Sequence, residues 1–169
     1  GYDQLFVFVF KEFLGIVKRT LLKMKTDQNT VAFFGNFYAR NVIGNAKYVL
    51  KSHTVNQLLG LIPNDRPAIV IAAGPSLKKN IHDLKDAKGR AFLIAVDTAL
   101  KPLLAAGITP DIFVTVDGNK PVELFDREEI WNIPIVLSAD VNYEVVRKHI
   151  GKKIFNYNGE GFIQKFYLD

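Results

Sequence analysis

The residues of this chain that could do chemistry follow five short apolar runs, at 68–73, 91–96, 111–116, 134–139 and 152–157. Such runs, rich in β-branched residues and separated by helical segments of about ten residues, are typical of parallel strands covered on both faces. In an open parallel sheet, ligands bind in the crevice outside the carboxyl ends of the strands. The residues at those ends are all polar or include glycine: Gly74-Pro75-Ser76, Asp97-Thr98, Asp117-Gly118-Asn119, Ser138-Ala139-Asp140 and Asn156-Tyr157-Asn158.

The first of these turns, Ala73-Gly74-Pro75-Ser76, has the composition of a phosphate-binding turn. Gly74 lets a ligand approach the backbone closely, and free N–H groups at the start of the next helix attract negative charge. The Ser76 hydroxyl can add a hydrogen bond. The alternative is that Ser76 only caps the helix and Gly74 only permits the turn. The turn matches neither G-x-G-x-x-G nor G-x-x-x-x-G-K-[ST], so neither a dinucleotide site nor a standard triphosphate loop follows.

Two aspartates end the next two runs and are expected to face the same crevice. Asp97 and Asp117 could bind Mg²⁺, hold ribose hydroxyls or serve as a base, which makes them the candidate catalytic and metal-binding residues. Their neighbours Thr98 and Asn119 are candidate contacts to a nucleotide. Alternatively, Asp97 is only a helix N-cap, and Asp117 is only part of a turn.

Helical segments between the runs bring these residues to one edge of a doubly wound, mostly parallel, Rossmann-like α/β sheet. The helices are expected to begin at polar caps and to end at glycine. The expected caps are Ser76, Asp97 or Thr98, Asn119 before Pro121, and Asn142, and the expected ends are Gly89, Gly107 and Gly151.

The first part of the chain is predicted to be helical and distinct from the sheet. Residues 4–25 place apolar side chains at spacings of three and four, which is typical of one stripe along a helix. The polar stretch 26–30 predicts a break, a second helical region is expected at about 31–50, and a short third helix is expected to end at 58–62. Because turn-forming residues follow at 63–67, the predicted domains are a helical segment at 1–66 and a nucleotide-binding domain at 67–169.

Composition and charge narrow the class of protein. The chain has no cysteine, and its three histidines show no metal-ligand spacing. The apolar stretch 5–10 is too short to span a membrane, and no basic signal region precedes it, so we expect a cytoplasmic protein. Residues 1–67 carry nine Lys and Arg against four Asp and Glu, whereas residues 68–169 carry thirteen of each. Since no nucleic-acid motif accompanies this basic segment, we expect solvent or another part of a longer protein to contact it, and no nucleic acid.

Three segments of the second part resemble the bacterial motility accessory factor family. They are 67–77, with its Gly-Pro-Ser-Leu turn, 95–100, which reads Ala-Val-Asp-Thr-Ala-Leu, and 107–117, which contains Gly-Ile-Thr-Pro-Asp and Thr-Val-Asp. Their order and spacing match. The resemblance implies a glycosyltransferase that moves a nonulosonic acid, of the pseudaminic or sialic type, from a CMP-activated sugar to flagellin, the protein of the bacterial flagellum. It also implies that Gly74, Pro75 and Ser76 lie against the nucleotide phosphate.

The resemblance leaves two other functions open. The same domain type occurs in archaeal 6-hydroxymethyldihydropterin diphosphokinases, which transfer diphosphate from ATP with Mg²⁺. A flagellin-binding accessory module without catalysis is the third possibility. Asn36, Asn41 and Asn45, in the segment before the central domain, could be ligand contacts or simple caps. Because nothing after Tyr157 matches the further elements of the motility family, the nucleotide-binding domain is expected to be truncated at its C-terminus.

Overall fold

A computed structural model describes residues 1–60 and 65–156 of the chain. It contains two compact units, residues 1–37 and residues 38–169. The unit that holds the sheet therefore begins at residue 38, whereas the sequence places the start of the nucleotide-binding domain at residue 67.

Two helices form the start of the chain, α1 (Tyr2–Leu5) and the 43-residue α2 (Val7–Val49). The predicted break at 26–30 is wrong, since α2 continues through it and the Thr26 hydroxyl donates to the carbonyl of Leu22 at 3.0 Å. Threonine, asparagine and aspartate are poor helix formers, but each costs only about 0.7 kcal/mol or less relative to alanine. Within the first unit the apolar stripe is exposed, as at Phe13 (57%) and Leu21 (60%). No helix in the described part of the chain is long and apolar enough to cross a membrane.

Six parallel strands form one sheet, in the order β1-β6-β5-β4-β3-β2. Strands β2 to β6 confirm the five predicted runs, and the two-residue β1 beside β6 is an addition that the sequence does not predict. Residue 157, the end of the last predicted run, lies outside the described residues. The bounds are β1 His53–Thr54, β2 Ala68–Ile71, β3 Phe92–Val96, β4 Ile112–Thr115, β5 Ile135–Leu137 and β6 Lys153–Phe155.

One face of the sheet carries the core. The paired positions Ile71, Ala95, Phe113 and Ile135 form a row across four strands, and all four are buried. The other face is less covered, with Val70 71% exposed. Because the sheet is wholly parallel and flanked by helices, the predicted doubly wound α/β class is confirmed.

The connections between strands are short. They contain α3 (Leu77–Asn80), α4 (Asp83–Ala87), α5 (Leu100–Ala105) and α6 (Tyr143–Lys148), with 3-10 turns at Val55–Leu58, Asp97–Ala99, Val122–Phe125 and Glu128–Asn132. Gly89 and Gly107 have positive φ angles of 85° and 73°, as helix-ending glycines often do. The Asn142 side chain accepts the N–H of Glu144 at 3.0 Å, which confirms the predicted cap of α6.

Two predicted helices are 3-10 turns instead. The α-helix expected after Asn119 and Pro121 is replaced by the 3-10 turns Val122–Phe125 and Glu128–Asn132. In these turns backbone N–H groups donate to carbonyls three residues earlier. The turns place Phe125 and Ile130 in the core. The short helix expected to end at 58–62 is found as the 3-10 turn Val55–Leu58. Residues 61–64 lie outside the described part.

Candidate functional site

The carboxyl ends of β2, β3, β4 and β5 lie side by side, because these strands are parallel neighbours in the sheet. The loops that follow them carry Gly74 to Ser76, Asp97, Asp117 and Asp140 respectively. We call this group of loops the carboxyl edge. The structure therefore brings the sequence-predicted site residues to one edge, as expected for a ligand crevice.

Asp97 is the most constrained of these residues. It is 7% exposed, and its carboxylate accepts the Thr98 N–H at 2.6 Å on Oδ1 and the Thr115 hydroxyl at 2.8 Å on Oδ2. The Lys120 ammonium lies 3.8 Å from Oδ1. Both carboxylate oxygens are thus occupied by groups of the protein itself. Asp97 holds the ends of β3 and β4 together and places one positive charge beside them.

Lys120 is the residue that sequence reasoning missed. Its side chain is 28% exposed, and its backbone carbonyl accepts the Asn142 side-chain amide at 3.0 Å. Its N–H donates to the carbonyl of Asp117 at 3.3 Å. The available signal was its position, three residues after an aspartate that ends a strand. The backbone of Lys120 is therefore fixed, and its partly exposed ammonium group lies beside the Asp97 carboxylate.

Asp117 and Asn119 form a local turn. The Asp117 Oδ1 accepts the N–H of Asn119 at 2.9 Å, and both residues are exposed, as is Thr98. This bond is the turn role that the sequence left as the alternative for Asp117. It engages one carboxylate oxygen, so Asp117 remains the more accessible of the two aspartates to a ligand.

The turn at Gly74 is open to ligand. A cavity of about 290 Å³ is lined by Gly74, Ser76, Leu77 and Asn80 together with strand β2. The Ser76 side chain makes no capping bond to α3, which contradicts the simple capping alternative. A Cβ added to Gly74 would meet only the Ser76 hydroxyl, at 3.8 Å. Ala73 and Pro75 are exposed beside it. No contact among the described residues requires glycine here, which fits a position kept clear for a ligand.

Asn41 and Asn45, on α2, fix the loops of this edge rather than cap a helix. The Asn41 amide donates to the carbonyls of Gly118 and Asp140 at 3.4 and 3.0 Å, and its oxygen accepts the N–H of Tyr143 at 3.1 Å. The Asn45 amide donates to the carbonyls of Ala139 and Val141 at 3.0 and 2.7 Å. Since both side chains are buried, their role is to position the loops after β4 and β5.

The end of β5 adds one more polar pair. The Ser138 hydroxyl lies within hydrogen-bond distance of the Asp140 carboxylate and, at 3.2 Å, of the Val116 carbonyl. Gly118 packs so closely that an added Cβ would lie 2.3 Å from the Asp140 carbonyl oxygen. The loops after β4 and β5 are therefore in direct contact, and a change in one displaces the other.

The donor set of this edge suits an anion better than a divalent cation. Magnesium requires several free oxygen ligands, but Asp97 is occupied by Thr98, Thr115 and Lys120. No group of three or more histidine, aspartate or glutamate side chains that could hold a metal ion occurs in residues 1–60 and 65–156. Asp117 alone keeps an exposed carboxylate. The Lys120 ammonium in the loop after β4 and the open glycine turn after β2 are each groups that can contact a phosphate.

These features define a Rossmann-like α/β domain with polar loops along its carboxyl edge. A family model described as 6-hydroxymethylpterin diphosphokinase MptE-like matches residues 40–168. The chain belongs to this MptE-like family.

Relatives of the chain come from archaea and bacteria. The 6-hydroxymethyl-7,8-dihydropterin pyrophosphokinase of Methanocaldococcus jannaschii is 31% identical over 116 residues, 66% of this chain and 46% of that protein. An uncharacterized protein of Treponema pallidum is 29% identical over 94 residues, 56% of this chain and 43% of that protein. The chain thus spans less than half the length of these curated relatives.

A solved structure also matches, that of the Maf glycosyltransferase from Magnetospirillum magneticum AMB-1. The TM-score is 0.48 at 20% identity, and the match covers 59% of this chain and 17% of that one. Both relationships named from the sequence recur in these comparisons. The family model and the Methanocaldococcus relative place the chain in the MptE-like family.

Proposed function

We propose that the carboxyl edge binds the phosphate part of a nucleotide donor substrate. Lys120 would contact the phosphate oxygens, the open turn at Gly74 and Ser76 would supply N–H and hydroxyl donors, and Asp97 would position Lys120 through the 3.8 Å ion pair. The observation that carries this proposal is a partly exposed ammonium group held at the strand ends by a buried carboxylate. A charged donor of this kind makes a hydrogen bond to phosphate stronger than a neutral donor does.

Within that class, we propose transfer of a nonulosonic acid from its CMP-activated form to a flagellin serine or threonine. The acceptor oxygen would bond to the anomeric carbon as the bond from that carbon to the phosphate oxygen breaks. Asp117, the accessible carboxylate, would take the acceptor proton. The negative charge that develops on the departing CMP phosphate would be stabilised by Lys120 and by the turn donors, which are already oriented. Sugar and acceptor rest on the resemblance to the motility family.

A second candidate, diphosphate transfer from ATP to a hydroxymethylpterin, is favoured by the family match and by the Methanocaldococcus relative. This reaction would use Mg²⁺, and Asp117 would be its ligand at this edge. The two candidates differ in the nucleobase of the donor nucleotide and in their need for a metal ion. CMP binding that needs little or no metal supports the glycosyltransferase, and ATP binding that requires Mg²⁺ supports the diphosphokinase.

Calorimetric titration with CMP and with ATP, each with and without Mg²⁺, tests these proposals. Lys120→Met should weaken binding of the correct nucleotide by about 1.5 kcal/mol, roughly tenfold, since it removes one charged hydrogen-bond donor. Lys101→Met is the matched control, because Lys101 pairs with Asp126 at 3.2 Å on an exposed surface. Ser76→Ala should cost about 0.5 to 1.5 kcal/mol if its hydroxyl makes one net bond.

Equal nucleotide affinities for Lys120→Met and Lys101→Met, with both variants folded by circular dichroism, would remove Lys120 from the site. Absence of binding of CMP and ATP by the folded wild-type chain would overturn the proposal that this chain by itself holds the nucleotide. A longer form of the protein would then be titrated in the same way.

A further inference from the structure

A second polar cavity lies at the opposite edge of the sheet, where β1 and β6 begin. It has a volume of about 310 Å³, and Tyr48, Lys51, His53, Lys152 and Lys153 are among the residues that line it. His53 of β1 pairs with Ile154 of β6. This pairing brings Lys51, which precedes β1, near Lys152 and Lys153 at the start of β6. None of these residues belongs to the carboxyl edge, so this cavity is separate from the site already described.

The cavity concentrates positive charge. Three lysines line it, and among the described residues that line it there is no carboxylate. A fourth, Lys47, lies with its ammonium 4.9 Å from the centre of the Tyr48 ring, and the Lys153 ammonium is 5.5 Å from the same centre. Attraction between cation and ring gathers two ammonium groups around one aromatic side chain. No ion pair of the described residues involves any of these four lysines.

Part of this charge is balanced by the fold. The Lys153 ammonium donates to the His149 carbonyl, at the end of α6, at 2.5 Å, and burial lowers the pKa of Lys153. Lys51 follows the end of α2, where helix carbonyls carry partial negative charge. Lys152 has no such partner among the described residues. Lys51 and Lys152 are exposed where they line the cavity. Because like charges repel one another, an anion bound in the cavity would reduce the repulsion among its lysines.

We infer that this cavity is a second anion site, which takes a phosphate group, either free or as the terminal group of a nucleotide. Its volume accepts a diphosphate, and its lysines can donate to phosphate oxygens as separate point charges. The inference is independent of the function proposed for the carboxyl edge, because it uses none of the same residues.

Calorimetric titration of the full chain with inorganic pyrophosphate tests the inference. The double variant Lys51→Gln with Lys152→Gln removes two charges without touching the bond from Lys153 to His149. The control, Lys18→Gln with Lys23→Gln, removes the same charge from exposed positions of α2. The cavity variant should bind pyrophosphate about tenfold more weakly than wild type, and the control should bind as wild type does.

The Lys120→Met variant separates the two sites. Pyrophosphate binding at the cavity should survive this change, and NMR signals of Tyr48 and His53 should shift during the titration. A parallel titration with ADP identifies the source of the phosphate. If ADP binds more tightly than pyrophosphate, the ligand is the terminal phosphate of a nucleotide. If ADP binds equally or more weakly, the ligand is free phosphate. Equal binding by the cavity and control variants would overturn the inference, as would loss of all binding in Lys120→Met or no binding by folded wild-type protein.

Discussion

His149 makes the stability of the fold depend on pH. Its side chain is 2% exposed, and its ring lies against Phe113 and Trp131, with centroid distances of 5.9 and 6.4 Å. Among the residues that the structure describes, neither ring nitrogen has a hydrogen-bond partner. The Ile133 backbone acts in the direction of a higher pKa for His149 without forming a hydrogen bond to either ring nitrogen. Burial, and then the charge of Lys153, lower the pKa of His149 from 6.5 to about 4.

The size of the effect follows from this shift. The folded state favours the neutral ring, so protonation favours unfolding and stability falls as the pH drops below 6.5. The loss is about 2 kcal/mol at pH 5 and reaches about 3 kcal/mol once the pH is below 4, because one pKa unit corresponds to about 1.4 kcal/mol. Above pH 7.5 the contribution is negligible.

Urea unfolding of wild type and His149→Leu between pH 7.5 and 4 measures this contribution. Other groups titrate in both proteins, so the difference between their unfolding free energies isolates His149. That difference should move by about 3 kcal/mol in favour of the leucine variant as the pH falls. His82→Leu, at an exposed position, controls for loss of an imidazole. A wild-type to His149→Leu difference that stays constant from pH 7.5 to 4 would refute the reasoning.

Three further substitutions test the geometry of the carboxyl edge by urea unfolding and CMP titration. Gly118→Ala places a methyl carbon 2.3 Å from the Asp140 carbonyl oxygen and 2.7 Å from the Tyr38 ring, and should destabilise the fold by about 2 kcal/mol or more. In Gly74→Ala the added methyl group would contact only the Ser76 hydroxyl, at 3.8 Å. The free energy of unfolding should therefore be unchanged, while CMP affinity falls. Asn41→Ala leaves three backbone groups without their partner, and should cost about 2 to 4 kcal/mol. A Gly118→Ala protein as stable as Gly74→Ala would contradict the close packing of these loops.

The strands could be predicted because their signals are local. Each of β2 to β6 is a short apolar run beside a turn-forming residue, and positive φ angles at Gly89 and Gly107 make glycine favourable there. Hydrophobic periodicity and turn-forming residues depend only on residues that are neighbours in the sequence, so they can be recognised before the fold is known. The same holds for Asn142, whose cap depends on Glu144 two residues later.

The errors arise where a local preference is weak. Residues 26–30 are poor helix formers, but once a helix exists each added residue gains a hydrogen bond without a new nucleation cost. After Asn119 and Pro121, the need to bury Phe125 and Ile130 within a short connection favours 3-10 turns. The position of Lys120 three residues after Asp117 was too little to identify it, because its proximity to Asp97 depends on the register of β3 against β4.

The start of the functional unit follows from the two asparagines of α2. Asn41 bonds to carbonyls 77 and 99 residues away, so a helix outside the predicted 67–169 domain holds the loops of its carboxyl edge. A protein of residues 67–169 would lack Asn41 and Asn45, and the carbonyls of Gly118, Ala139, Asp140 and Val141 would lose their donors. We expect it to be less stable by several kcal/mol than residues 38–169, as urea unfolding would show. Equal unfolding free energies for the two proteins would mean that water replaces the asparagine hydrogen bonds. The domain would then begin at residue 67, as predicted from the sequence.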